Sequence, residues 1–181
     1  MNGALLGDGS IIKHKNGLNA YFSYSSKSEE HVRAVCTELE DYVSPGFYYR
    51  YEETYDKRTD KSYSHYSFRT ITNPTFTELY NMWYKNNIKI VPKNLILTPL
   101  TCLIWYLGDG ELSRSSRIAG YILLCTDSFT KEDIEKYLLP QLSNFSATLM
   151  EHGYNKYRIY IPRIKVKEFL EYIGTCPVED Y

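Results

Sequence analysis

A tetrapeptide, Leu-Gly-Asp-Gly, occurs twice in this chain, each time closing an apolar run: Gly3-Ala4-Leu5-Leu6-Gly7-Asp8-Gly9 and Ile104-Trp105-Tyr106-Leu107-Gly108-Asp109-Gly110. The two aspartates lie about half a chain apart, so the sequence reads as an internal duplication. Each run predicts an apolar helix that ends in a carboxylate. A helix C-terminus already carries partial negative charge on its unpaired carbonyls, so an Asp there is unfavourable unless a cation offsets it. A bound divalent ion would do so. Gly3 and Gly7, four apart, let one helix approach another closely; the second copy keeps only Gly108. Two such helices side by side would bring Asp8 and Asp109 to one end. Asp-Gly is also a common turn pair, and ordinary turn residues are the alternative.

The bulk properties bound what this pair can serve. With 181 residues, 43% of them hydrophobic and 15% aromatic, the chain can bury a good core and is not of the disordered class. A net charge of −1 argues against nucleic acid when taken as an average, because phosphate neutralisation needs Lys and Arg. The charge is unevenly spread, however. Segment 10–27 has Lys13, Lys15 and Lys27 with no acid, and segment 152–167 has Lys156, Arg158, Arg163, Lys165 and Lys167 with none. Acids gather instead in a predicted helix, at Glu29, Glu30, Glu38, Glu40 and Asp41. Basic strands with acidic helices suit a sheet face that meets DNA. Nineteen tyrosines suit rigid amphipathic contact surfaces or simply well-packed strands. Cys36, Cys102, Cys125 and Cys176 form no C-x-x-C pair, so neither a zinc site nor a disulfide framework is signalled, and a reducing compartment is the simpler reading. No apolar run reaches membrane-span length and no signal peptide precedes the first motif.

The periodicities predict strands at 10–14 and 20–25 around Asn16-Gly17, then a helix from Ser28 to about Val43 ended by Ser44-Pro45-Gly46. His31 on that helix is read as a surface residue. A tyrosine-rich hairpin follows at 47–55 and 63–71, then a helix after Asn73-Pro74 that ends near Asn86-Asn87. Pro99 opens the second motif helix. The second half repeats the order: strands at 111–113 and 118–126, a helix at 131–142 with Thr130 as N-cap, a hairpin at 147–151 and 157–161, and a helix at 164–173. The expectation is an α+β fold of two pseudo-symmetric αββαββα halves, 1–97 and 98–181, packed through the two motif helices, each with a curved antiparallel DNA-binding sheet.

The two motifs resemble the signature of the LAGLIDADG homing endonucleases. Met1 to Gly9 matches it with Asp8 at the catalytic aspartate, and Cys102 to Gly110 with Asp109 there. The context Val91-Pro92-Lys93-Asn94-Leu95 and Leu97-Thr98-Pro99-Leu100 is similar to the single-chain, two-motif branch, and the resemblance covers nearly the whole chain. Leu6 and Leu107 stand where the family often has its first motif aspartate.

That resemblance implies a monomeric, Mg²⁺-dependent, site-specific double-strand DNA endonuclease that leaves 3′ overhangs at a long pseudo-symmetric site. Asp8 and Asp109 would hold two or three divalent ions, helped by the carbonyls of Gly7 and Gly108. Mg²⁺ fits because it accepts few protein oxygens and keeps waters, one of which can attack phosphorus. Lys89, three residues before Pro92, takes the place of the first half's catalytic lysine; a solvated lysine beside Lys85 and Lys93 is the alternative. The second half's lysine would fall just after Tyr181. Base contacts are expected from outward strand faces in the major groove. The candidates are Lys13, Tyr21, Ser23, Ser25, Arg50, His65, Ser67 and Arg69, then Arg114, Arg117, Tyr154, Lys156 and Arg158. Two other readings stay open: a maturase that binds intron RNA, and a catalytically inactive DNA-binding relative. The expected setting is a bacterial cytoplasm or an organelle, with no secretion.

Overall fold

The computed structural model describes residues 1–44, 50–115 and 118–176, with the side chains of 114–119 also left aside. The chain forms two compact units. One comprises Met1–Gly7 and Asn81–Thr175, the other is built from Asp8–Tyr80, so the chain passes from one to the other between Gly7 and Asp8 and again after Tyr80.

The unit that holds both motif helices begins with α1 (Asn2–Leu6), whose Gly3 to Leu6 are all buried. It packs along α4 (Pro99–Asp109). A Cβ added at Gly3 would lie 2.8 Å from Ile104 Cβ, so the close approach expected from the small residue is real. Helix α4 starts where the sequence dictates: Thr98 Oγ1 accepts from Thr101 N at 3.1 Å, and Pro99 fills the first turn. Its Trp105 is fully buried and donates Nε1–H to Cys125 O at 3.3 Å.

Four strands make this unit's sheet: β7 (Gly110–Ser115), β8 (Ile118–Cys125), β9 (Thr148–Glu151) and β10 (Tyr157–Ile161), in the order β7-β8-β10-β9, all neighbours antiparallel. Ile122, Leu124, Ile159 and Ile161 are 0% exposed and define its core face, against which α4 and α6 (Arg163–Ile173) pack. The predicted helix at 131–142 is present, but it is irregular. A short α-helical turn α5 (Lys131–Asp133), capped by Thr130 Oγ1, runs into a wide π turn at Ile134–Leu138 and a tight 3₁₀ run at Leu139–Phe145. Pro140, which lacks the donor for a regular ladder, sits in the tight run.

In the other unit β1 (Ser10–Ile12), β2 (Tyr21–Ser26), β3 (Arg50–Asp56) and β4 (Lys61–Arg69) repeat the order as β1-β2-β4-β3. Phe22, Tyr24 and Phe68 are buried against α2 (Glu29–Thr37). Ser28 caps α2 through His31 N at 3.2 Å, while Glu29 and Glu30 occupy the first turn, where a helix favours negative charge. The helix is shorter than expected and ends at Thr37, followed by a single tight turn at Glu40–Tyr42. His31 is not a surface residue: it is 1% exposed, with its ring nitrogen 3.3 Å from Tyr24 Oη. Its hydrogen-bonding partner lies on a strand 7 residues earlier, which helical periodicity does not reveal.

Helix α3 (Pro74–Trp83) crosses from one unit to the other and stops earlier than expected. The chain then makes a minimal hairpin, β5 (Tyr84–Lys85) and β6 (Ile88–Lys89), turned by Asn86 at φ 52° and Asn87 at φ 64°. Two left-handed residues in a two-residue turn match strand twist, and Asn tolerates that conformation. The predicted strand start at 47–49 and the chain end at 177–181 lie outside the described residues.

Candidate active site and nucleic-acid interface

The β5–β6 hairpin carries Lys89 at the end of its second strand. Its register pairs Tyr84 with Lys89, and Ile90 N donates to Trp83 O at 2.7 Å, tying the hairpin to a fully buried indole. Lys89 Nζ then donates to Gly7 O at 3.3 Å and sits 5.7 Å from the centroid of Phe129. Phe129 in turn lies 6.5 Å from Trp83, centroid to centroid. Lys89 is thus half-buried with a carbonyl partner, unlike its exposed neighbours Lys85 and Lys93. Its charge lies half-buried, on a carbonyl at the C-terminal end of α1.

Asp109 ends α4 in the same unit, next to Gly7. A Cβ added at Gly7 would lie 3.5 Å from Asp109 Cβ and 3.7 Å from its Oδ2, which is ordinary contact. Asp109 is half-buried, and burial pushes its carboxyl above the usual carboxylate range. The Lys89 ammonium pulls it back, Asp127 adds to the rise and Arg158 opposes it. The negative end of α4 acts in the same direction as burial. A desolvated carboxylate at such a position is one that gains by holding a cation.

Among the described residues no three or more His, Cys, Asp or Glu side chains gather as a metal cage. A hard divalent ion that keeps most of its waters does not require one; one or two carboxylates suffice. Asp109 fits that donor set. The Gly7 carbonyl, also expected to hold metal, is here the acceptor for Lys89, and Gly108 is half-buried within α4. Asp8 follows Gly7 directly, opens the other unit and is exposed.

Two residues near Asp109, Asp127 and Glu111, escaped the sequence reading, and they engage Arg158, which was expected to contact bases. Asp127 Oδ2 accepts from Arg158 Nη2 at 3.1 Å, and Glu111 Oε2 lies 3.9 Å from Arg158 Nη1. Asp127 Oδ1 and Arg158 Nε are buried without a hydrogen-bond partner. Arg158 therefore sits in an acidic setting with its side chain 17% exposed. The signal for this trio is register alone, since Arg158 pairs with Cys125 two residues before Asp127.

On the first sheet the outward-facing candidates converge. Ser23 pairs with Arg69, Ser25 with Ser67, and Arg50 with Ser67, so these side chains share one face. Tyr21, Ser23, Ser25, Arg50, His65, Ser67 and Arg69 line a single open depression, joined by Glu52. Glu52 was missed; it pairs with His65 across β3 and β4, Oε2 to Nε2 at 3.2 Å. Lys13 lies exposed in the loop after β1. Of the second-half candidates, Tyr154 and Lys156 are exposed in the β9–β10 turn, where Gly153 and Asn155 have positive φ. Arg114 lies in β7 with its side chain undescribed, and Arg117 falls outside the described residues.

An aspartate-tipped helix pair with an antiparallel four-stranded sheet of the same strand order in each unit is the LAGLIDADG arrangement. The model of the LAGLIDADG DNA endonuclease family matches residues 1–169, and this chain belongs to that family. The chain is 28% identical over 205 residues to DNA endonuclease I-ChuI of Chlamydomonas applanata, covering 98% of this chain and 88% of that one. Its fold is similar to that of the homing endonuclease I-WcaI bound to its DNA recognition sequence, with a TM-score of 0.84 at 20% identity over 99% of this chain and 82% of the other. It is also similar to I-DmoI in complex with DNA and Mn, with a TM-score of 0.56 at 13% identity over 98% and 95% of the two chains.

Proposed function

We propose that this protein is a site-specific double-strand DNA endonuclease of the homing type, hydrolysing phosphodiesters with divalent metal, Mg²⁺ being the ion expected. The observation that carries the reading is the Lys89–Gly7–Asp109 cluster: a half-buried cation and a desolvated carboxylate on the ends of the two motif helices. The DNA-bound relative I-WcaI and the DNA- and Mn-bound relative I-DmoI support the substrate class and a divalent ion.

In this reading Asp109 and Asp8 would be the metal-holding carboxylates, and a bound divalent ion would supply an acidified water and charge stabilisation at the phosphoryl oxygens. Lys89 places a fixed positive charge where the pentavalent phosphorus gathers negative charge, an effect that needs no reorganisation during the reaction. Phe129 covers one side of that ammonium, and partial shielding from bulk water strengthens its field. The open face of the first sheet supplies donors and acceptors for base edges in the major groove: guanidinium at Arg50 and Arg69, imidazole at His65, carboxylate at Glu52, hydroxyls at Ser23, Ser25 and Ser67. The protein acts as a monomer on a long pseudo-symmetric site and leaves 3′ overhangs.

The test is to select duplexes from a randomised library by retention in Ca²⁺, then incubate them in Mg²⁺ and map both cut strands. Cuts at fixed positions with 3′ extensions support the proposal. Retention without cutting in Mg²⁺ would make the chain a binder only. Retention of structured intron RNA in place of duplex DNA would favour a maturase.

A further inference from the structure

The two four-stranded sheets share a strand order but differ in the chemistry at the centre of their open faces. In the second sheet Ile122, Leu124, Ile159 and Ile161 face the core, so alternation turns Tyr121, Leu123, Cys125, Arg158 and Tyr160 the other way. Tyr160 pairs with Leu123, and the rings of Tyr121 and Tyr160 lie 5.1 Å apart. Met150 pairs with Arg158 and extends the same face. The one cation among them is committed within the protein, its guanidinium held between Asp127 and Glu111. The rest of the face carries the two neighbouring tyrosine rings, the Cys125 thiol and the Met150 thioether, bordered by Ser113 opposite Tyr121 and by exposed Thr148 opposite Tyr160, where the first sheet offers arginines, histidine, carboxylate and serines beside Tyr21.

We propose that the second sheet reads its stretch of DNA by apolar contact, with thymine C5-methyl groups as the feature recognised, while the first sheet reads by hydrogen bonds. The inference rests on the endonuclease reading. In the major groove the thymine methyl is the one apolar mark on a base pair, and all other edge groups are donors or acceptors. Pressed against the faces of the tyrosine rings, a guanine or cytosine edge loses water and regains a partner only where it reaches a phenolic hydroxyl, a loss that disfavours it. A methyl loses nothing there and gains contact area with two rings already stacked side by side. Steric fit to the methyl is thus the main discriminator available to Tyr121, Tyr160, Cys125 and Met150.

The experiment uses the full chain and the duplex selected in Ca²⁺. Positions whose base preference changes on selection with Tyr160→Gln mark the stretch under the second sheet, and those that change with Arg69→Gln mark the stretch under the first. Each thymine is then replaced by deoxyuridine, which removes only the methyl. In the second stretch affinity is expected to fall roughly fourfold per contacted thymine, the value of one buried methyl group; in the first stretch, less than twofold. Tyr160→Phe, which keeps the ring, retains the sensitivity, and Tyr160→Gln loses it. Equal sensitivity in both stretches, or none in the second, overturns the proposal while leaving the nuclease intact. If no duplex is retained at all, the endonuclease reading fails and this one with it.

Discussion

The ammonium of Lys89 donates to the carbonyl oxygen of Gly7 at 3.3 Å across 82 residues of sequence. That bond joins the hairpin after α3 to the end of the first motif helix. It also brings a cation within electrostatic reach of the second motif's aspartate, Asp109. One lysine thereby serves both motif ends within a single compact unit.

Removing this charge is the first expectation. Lys89→Met keeps the aliphatic stem against Phe129 and deletes the donor. Cleavage under single-turnover conditions should fall by about 10²- to 10³-fold, the range for loss of one fixed donor at a developing negative charge. DNA affinity in Ca²⁺ should change little, and a matching loss of affinity would show that Lys89 acts in binding instead.

The glycines of the first motif differ in what they tolerate. Gly3→Ala pushes a methyl to within 2.8 Å of Ile104 Cβ and against the Thr101 carbonyl, both on α4. Overpacking of this kind destabilises by ~1–3 kcal/mol. Gly7→Ala meets nothing closer than 3.5 Å, so it should destabilise less than Gly3→Ala. Urea midpoints of the two variants decide this; equal losses would mean the helices do not pack as described.

Much of this was legible from the chain and some was not. The motif helices, their duplication and the alternation of Tyr21, Ser23 and Ser25 follow from period and spacing, and the first sheet's open face gathers those residues with Arg50, His65, Ser67 and Arg69. His31 read wrongly because its hydrogen-bond partner Tyr24 is supplied by a neighbouring strand, and burial of a polar group depends on such a partner. Asp127, Glu111 and Arg158 meet through strand register and turn geometry, neither of which leaves a periodic mark. The π and 3₁₀ turns at Ile134–Phe145 keep the apolar pattern of a helix while departing from its ladder, so pattern alone reads them as one α-helix.

Asp109 predicts a pH signature in metal-free protein. Its carboxyl titrates above the unfolded value of 3.8, so the native state binds this proton more tightly than the unfolded state does. Stability contributed here is therefore lost as pH rises from about 3.8 through the raised native value, and is constant above it. Asp109→Asn should be the more stable protein at neutral pH, with its advantage shrinking to nothing in acid. Thermal unfolding in EDTA from pH 3 to 8 tests this, and an advantage independent of pH would contradict it.

His31 acts in the opposite direction. Burial lowers its pKa below 6.5, so the unfolded chain takes up the proton first. Stability is present above about 6.5 and is lost as pH falls below that value towards the depressed native one. The double variant Tyr24→Phe with His31→Leu removes the titrating group without orphaning its partner, and should flatten the slope below about pH 6.5 in the same unfolding series. A slope unchanged by the double variant would place the acid sensitivity elsewhere.

On the proposed function, Asp109 holds the metal for phosphodiester hydrolysis and is not required for DNA binding. The most direct measurement is single-turnover cleavage of the selected duplex in Mg²⁺ by the parent and by Asp109→Asn, with the affinity of each for the same duplex measured in Ca²⁺. The expected result is cleavage by the parent, none detectable by the variant, and affinities within a few-fold. Cleavage retained by Asp109→Asn at an unchanged rate would contradict it.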